Sequence, residues 1–480
     1  MKDESSIELY EHGAARELKL NDKEISSFEK FLDTVWKNRN TENWRGVSEK
    51  KTDQKFIEVT RGVSQKEKLF AKSNNYVGVV NWKKKRIHLL PKIFDQEQEY
   101  QELSEASINS IHTHILWWLS YSNKFKFPNL RNDIHQRNND FLEALIYLFA
   151  KHALEVLSVS TYHSFEDQES ELNYMRGSLD FKKYLMGNFS KGRHHKLDCR
   201  FNSLEVDNQF NRIIKYVCRL LLLLTKVKET KKYLTAIILI LDDVEDKYYE
   251  ARDCESIRFN SFFGHMQTIL DYCKLFLAGS IINRNKETLQ VFAFLLKTDD
   301  LYQDFVYGFI KKHIERLTKI NPSATKYIGE DTFKSNFLFT DVDGKENYSA
   351  SLLPDGIIRF NHEEFITDTK YKNLTKDGIK EGDLYQMLAY ATRFKIDKII
   401  LFYPLYLKYK KEKSEKYIMK DKLADGKEIL LRAEQINIIL KDWQNLSSEQ
   451  YRNFSLTRCF EKLTEELKSK IISIFENHGS

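Results

Sequence analysis

The chain is predicted to be an α+β protein of several domains. A mixed α/β N-terminal domain with a β-hairpin is expected over 1–130, a helical middle domain over 131–295 and a compact α/β domain over 296–480. Three observations predict this. At 480 residues the chain exceeds what one hydrophobic core usually absorbs. Hydrophobic residues make up 41% of it and aromatics 13%, with only five prolines, a composition with ample core material and little linker. The hydrophobic pattern also shifts along the chain, from two-residue alternation to helical spacing and back.

In the N-terminal part, 26–37 has helical spacing, and the alternating runs Tyr76 to Val80 and Arg86 to Leu90 read as a hairpin. Pro91 ends its second strand by blocking further ladder pairing. The turn carries Lys83, Lys84 and Lys85; a solvated tip explains them, and phosphate contact is the sharper alternative. In the middle region, apolar residues recur at helical spacing in 141–157, 210–224, 262–277 and 289–296. A polar segment at 187–198 interrupts them. It contains His194 and His195, whose adjacency lacks the spacing that metal ligation on a helix uses. From 327–340 the pattern turns to strand and loop. The remainder reads strand, strand, helix, strand and terminal helices, the order of a compact α/β unit.

Several classes are excluded. The longest apolar runs, near 220–224 and 234–241, fall far short of the roughly 20 residues that cross a bilayer, so no membrane association is expected. The polar, acidic start has no apolar signal segment, which predicts a cytoplasmic protein. Five cysteines without a Cys-x-x-Cys pair argue against a disulfide framework or a zinc knuckle. A net charge of +6 permits nucleic-acid contact without demanding it.

The chemistry concentrates in 352–403. Leu352 to Phe360 has strand composition, 361–364 is a polar turn, and Phe365-Ile366-Thr367-Asp368-Thr369-Lys370 returns as a second strand. Side chains alternate with a period of two, so Asp368, Lys370 and Ile366 share a face, and an antiparallel return brings Asp355 beside them. Two carboxylates and a lysine converging in this way suit Mg²⁺-assisted phosphodiester hydrolysis: hard oxygen ligands for the ion, and a cation near the attacking water. The acid-x-lysine triplet alone is weak, because it recurs at 49–51, 53–55 and 180–182, and a surface salt bridge is its ordinary explanation. What strengthens it is the upstream Pro354-Asp355, the apolar strands leading to both acids and the helix expected over 383–394. On that helix Gln386 and Tyr390, four apart, share a face and can position DNA or a metal-bound water; a core aromatic explains Tyr390 equally well. The buried-type strand 398–404 then completes a βαβ step.

Pro354-Asp355, Asp368-Thr369-Lys370-Tyr371 and Leu384-Tyr385-Gln386-Met387-Leu388-Ala389-Tyr390 together resemble the nuclease core of the McrC family, PD-(D/E)xK restriction subunits of McrBC and LlaJI-type systems. Leu301-Tyr302-Gln303-Asp304-Phe305 resembles the helix opening that core, with Gln303 where a glutamate often stands and Asp304 out of phase to replace it. Arg176 to Phe181, Glu205 to Lys215 and the 76–93 hairpin resemble the rest of the family, so the resemblance runs from about residue 70 onward. It implies an endonuclease of phage defence that cuts double-stranded DNA with Mg²⁺, Mn²⁺ being a substitute. Asp355 and Asp368 would ligate the metal, Lys370 would orient water or stabilise charge, and Gln386 and Tyr390 would support them. It also implies an AAA+ GTPase or ATPase partner of the McrB type, in keeping with the absence of a Gly-x-x-x-x-Gly-Lys-Ser/Thr loop from this sequence, and an N-terminal half that contacts that partner. A double-strand cut would require two complexes to dimerise on DNA. LlaJI-type relatives look to serve unmethylated sites, so methylation dependence does not follow. Two other functions compete: a stand-alone nuclease of repair or mobile DNA, which would cut without a partner, and a non-catalytic activator of an AAA+ NTPase.

Overall fold

The computed structural model describes residues 6–18, 20–38, 55–62, 68–82, 85–96, 103–122, 141–283, 288–314, 319–320, 354–361, 363–422, 426–446 and 456–477. The change of pattern expected at 327–340, Lys83 and Lys84 of the hairpin turn, and the triplet at 49–51 lie outside them. The fold is mixed α/β with several sheets. By contacts the chain divides into residues 1–144 together with 281–480, and residues 145–280.

In the first unit the order begins β1 (Ser6–Tyr10), β2 (Arg16–Leu18), α1 (Asp22–Asn38), β3 (Ile57–Arg61), β4 (Leu69–Ser73), β5 (Tyr76–Trp82), β6 (Lys85–Leu90) and α2 (Glu105–Leu119). The expected hairpin is β5 and β6, antiparallel with Val80 opposite Ile87. Strands β2, β4 and β3 form a small second sheet, and Leu9, Phe28, Ile57, Trp82 and Ile87 share one core beneath both.

The second unit contains most of α3 (Phe141–Val159), then β7 (Ser164–Leu172), β8 (Ser178–Leu179), α4 (Phe181–Gly187), β9 (Leu197–Glu205), α5 (Gln209–Leu224), α6 (Lys228–Ile240) and α7 (Gln267–Gly279). Its helices bury Val217, Leu221, Leu234, Ile237 and Phe276, as their spacing predicts. The sheet β7-β9-β8 corrects the expectation of a purely helical middle. Strand β7, SFEDQESEL, has no apolar alternation to reveal it. It is instead laced by charge: Glu169 pairs with Lys183 and Arg200, and Glu171 with Lys196.

The chain then returns to the first unit through β10 (Ser280–Asn283) and β11 (Thr288–Lys297). Leu289 to Leu296, expected to be helical, is therefore a strand, antiparallel to β5 with Phe294 opposite Val79. A short apolar run reads alike as strand or helix. Gly78 explains how closely these two strands approach. It has φ 143°, and a Cβ there would sit 1.9 Å from the Phe294 carbonyl oxygen, which only glycine avoids. Because β11 completes the N-terminal sheet, the packing does not follow the boundaries expected at 130–131 and 295–296.

After α8 (Thr298–His313) comes a six-stranded sheet in the order β12-β13-β14-β15-β17-β16. Its members are β12 (Lys319–Ile320), β13 (Gly356–Phe360), β14 (Glu363–Thr369), β15 (Lys398–Pro404), β16 (Ser414–Lys422) and β17 (Glu428–Ile436). Strands β13 and β14 are the predicted hairpin, Gly356 facing Thr367, closed at Asn361 with φ 47°, a conformation asparagine tolerates. Strand β15 lies parallel to β14, so the βαβ step is present. The strands β16 and β17, expected as helix, are a further correction: β17 is parallel to β15 and β16 antiparallel to β17. The helix Glu381–Phe394 covers one face, packing Met387, Tyr390 and Ala391 on Ile366, Ile399 and Leu431. The terminal helix Glu461–Glu476 covers the other, where Phe475 meets Phe365 edge-on at 5.1 Å. Among the described residues no helix is long and apolar enough to cross a membrane.

Candidate active site

The site forms at the C-terminal ends of the parallel strands β14 and β15, where open α/β sheets bind ligands because chain crossings leave a crevice there. Backbone bonds set its frame. Lys370 N donates to Phe402 O at 2.9 Å, extending the β14/β15 ladder past Thr369. Asp355 Oδ2, entering β13, accepts from Thr369 N at 2.9 Å and Thr369 Oγ1 at 2.6 Å. The antiparallel return thus brings Asp355 to the segment that carries Asp368 and Lys370, where it is held by Thr369 between them.

Asp368 is 3% exposed. Lys370 Nζ lies 2.6 Å from its Oδ2, a close ion pair set outside hydrogen-bond angles, and that buried oxygen has no hydrogen-bond partner. Burial and then the charge of Asp355 push the Asp368 carboxyl above the ordinary carboxylate range. Burial pulls Lys370 down, but Asp368, Asp383 and Asp355 together more than offset this and its net shift is upward. Lys370 Nζ also donates to Gln386 Oε1 at 2.9 Å, and Gln386 Nε2 to Tyr390 OH at 2.7 Å. All five residues singled out in the sequence therefore meet. Tyr390, 3% exposed, has its ring in the core, and its hydroxyl ends this chain of bonds. By contrast, Asp180 of a competing triplet caps α4, accepting from Lys183 N at 3.1 Å.

Two residues were missed. Asp383, 7% exposed, accepts from Lys372 Nζ at 2.9 and 2.8 Å and lies 3.6 Å from Lys370 Nζ. Its place one turn before Gln386 was the available signal. Tyr307 of α8 donates to Thr367 O at 3.0 Å, and a Cβ on Gly356 would approach its ring at 2.8 Å. Burial, Asp355 and Asp368 raise its phenol. Tyr307 stands one turn beyond Gln303, so α8 reaches these strands through a tyrosine. Asp304 accepts from Ser122 Oγ at 3.1 Å.

Two carboxylates at one point, with a buried oxygen lacking a hydrogen bond, suit a hard divalent cation. Among the described residues no cluster of three or more His, Cys, Asp or Glu could hold a metal. Asp355 and Asp368 are the residues here that could hold such an ion.

The profile of the family described as "McrBC 5-methylcytosine restriction system component" matches residues 71–404. The chain belongs to that family. The resemblance drawn from the motifs is thereby borne out. In fold, this McrBC-family chain is similar to a chain of the Thermococcus gammatolerans assembly of McrB AAA+ hexamers with bound McrC, with a TM-score of 0.59 and 17% identity over 95% of this chain and 100% of that one. A second chain, from the T. gammatolerans McrBC complex, aligns with a TM-score of 0.46 and 16% identity over 65% of this chain and 88% of that one. No curated protein matches the chain.

Behind the site, Glu11 is fully buried next to Lys92 Nζ at 3.5 Å, and Lys92 covers the Tyr371 ring at 4.4 Å. Burial raises the Glu11 carboxyl from 4.5 to about 7. Because the folded value is the higher, Glu11 favours folding fully below pH 4.5, and that contribution is lost as pH rises through 7. Thermal unfolding measured from pH 5 to 8 should therefore show a decline that Glu11→Gln flattens; equal slopes in both proteins would contradict this assignment.

Proposed function

We propose that this chain is a McrC-like, Mg²⁺-dependent DNA endonuclease subunit whose C-terminal sheet is a PD-(D/E)xK domain, engaged by an AAA+ partner of the McrB type. The observation that carries this reading is the meeting of Asp355, Asp368 and Lys370 at one strand end. A bound Mg²⁺ would polarise the scissile phosphate and lower the pKa of its water. Asp355 and Asp368 would hold the ion, with Thr369 orienting Asp355. Lys370, kept in position by Gln386 and Asp383, would present its ammonium to the attacking water or to the charge developing on the phosphate. Exclusion of bulk water by the buried surroundings of Asp368 would strengthen each of these interactions. The fold relative bound to McrB hexamers supports the partner reading, and two such complexes meeting on DNA would deliver a double-strand cut.

The test is cleavage of supercoiled plasmid by the full chain with Mg²⁺ or EDTA, with and without the AAA+ partner and its nucleotide. Cutting that needs metal and partner together is expected. Cutting by the chain alone would identify a stand-alone nuclease, and stimulated nucleotide hydrolysis without cutting would identify an activator. Within the site, Gln386→Ala should lower kcat roughly 10- to 100-fold, the usual cost of losing a supporting partner, with little change in melting temperature. An unchanged kcat would remove Gln386 from the mechanism.

A further inference from the structure

Beyond the end of β15, the loop 405–413 carries Lys408, Lys410, Lys411 and Lys413 interleaved with Tyr406 and Tyr409. It borders a cleft of about 460 Å³ against the terminal helix, many times the roughly 30 Å³ that one water occupies. Four lysines against two glutamates line it: Lys410, Lys411, Lys441 and Lys470 against Glu412 and Glu466. Their engagement differs. Lys470 is anchored to Glu412 at 3.3 Å and to the buried Glu434 at 3.2 Å. Lys410, Lys411 and Lys441 are exposed and, among the described residues, pair with no acid.

Hydrogen bonds tie the loop bordering the cleft to the segment that follows the candidate site strand. Asn373 Nδ2, just downstream of Lys370, donates to Tyr409 OH at 3.3 Å. Thr375 Oγ1 bonds Gln435 Oε1 at 3.3 Å, and the same oxygen accepts from Lys413 N at 2.9 Å. The loop bearing Lys410 and Lys411 is thus attached to the segment that follows the Asp368-Thr369-Lys370 strand.

We propose that this cleft binds the sugar-phosphate backbone of duplex DNA flanking the phosphate being cut, with Lys410, Lys411 and Lys441 as phosphate contacts. This rests on the nuclease reading above and adds where the duplex runs. A phosphodiester chain fits the observations because the cations are compact, exposed and unspent, the cleft has volume for more than one ion, and the loop at its rim is bonded to the segment that follows the cutting strand. Contacts of this kind position a duplex without reading its sequence.

The experiment titrates a fluorescent duplex with the full-length Asp368→Ala chain across about 50 to 200 mM salt, since log affinity falls with log salt by about 0.9 per phosphate contact. Adding Lys410→Ala, Lys411→Ala and Lys441→Ala should lower affinity at least roughly tenfold at low salt and reduce the slope by about 2 to 3. The matched triple Lys228→Ala, Lys231→Ala and Lys232→Ala, on exposed positions of α6, changes net charge equally and should leave the slope in place. A cleft triple with the parent's slope, or with the slope change of the α6 triple, overturns the proposal while the nuclease reading stands. Loss of the AAA+ partner with an unchanged DNA slope also overturns it and makes the cleft a protein contact. A parent chain that binds no duplex at all overturns both.

Discussion

Asp368→Ala should abolish the proposed DNA cleavage, by roughly 10³-fold or more, because the metal that this carboxylate would hold is worth several kcal/mol of charge stabilisation at the phosphate. The same position should show an opposite effect on stability. Burial and the neighbouring Asp355 raise the Asp368 carboxyl, so its folded-state value exceeds the unfolded one. Its contribution to stability is complete below the unfolded value and is lost as pH rises through the folded one. At neutral pH without metal the ionised side chain therefore works against folding, and Asp368→Asn should raise the melting temperature by roughly 2 °C while cleavage disappears. Added Mg²⁺ should stabilise the parent chain more than the variant. If Asp368→Asn cut DNA at the parent rate, the site would be elsewhere; if it melted lower without metal, the carboxylate pair would not be strained. This is a stability-activity trade-off at named atoms.

The second large effect is structural. Trp117, 2% exposed, stacks on Phe460 with ring centroids 4.5 Å apart and planes within 6°, and touches Phe305 of α8 at 4.9 Å. One indole therefore joins α2, α8 and the segment before the terminal helix. Trp117→Ala should cost about 3–5 kcal/mol through lost transfer energy and the cavity left behind. Scanning calorimetry should show the transition of the unit 1–144 with 281–480 falling several degrees while that of 145–280 holds. Trp117→Phe should recover part of the loss. If both transitions moved together the two-unit division would not describe the unfolding, and if neither moved the stack would contribute little.

The residues that identify the candidate site were legible because they are local. Asp368 and Lys370 share a face through strand alternation, Gln386 and Tyr390 through the helical turn, and Pro354-Asp355 lies one hairpin away, so short-range geometry brings them together. Asp383 and Tyr307 were not legible in this way. Asp383 acquires meaning only once the helix Glu381–Phe394 docks on β14, and Tyr307 only once α8 crosses β13 and β14 at Gly356. The same division runs through the fold. The β5/β6 hairpin and the β14-helix-β15 step have apolar patterns that match their periods.

By itself, then, the sequence determined the family, the five candidate residues that converge and the local elements that present them, because periodicity and turn chemistry act over a few residues. Only the tertiary structure decided that β11 leaves the middle region to complete the N-terminal sheet, that the polar β7 and β16 are strands, and that Glu11 is buried behind the Lys370 strand. Each depends on which distant segment supplies the backbone partner or covers the charge. An apolar run such as Leu289 to Leu296 satisfies helix and strand alike until its neighbour is known, and a polar strand carries no apolar alternation to announce it.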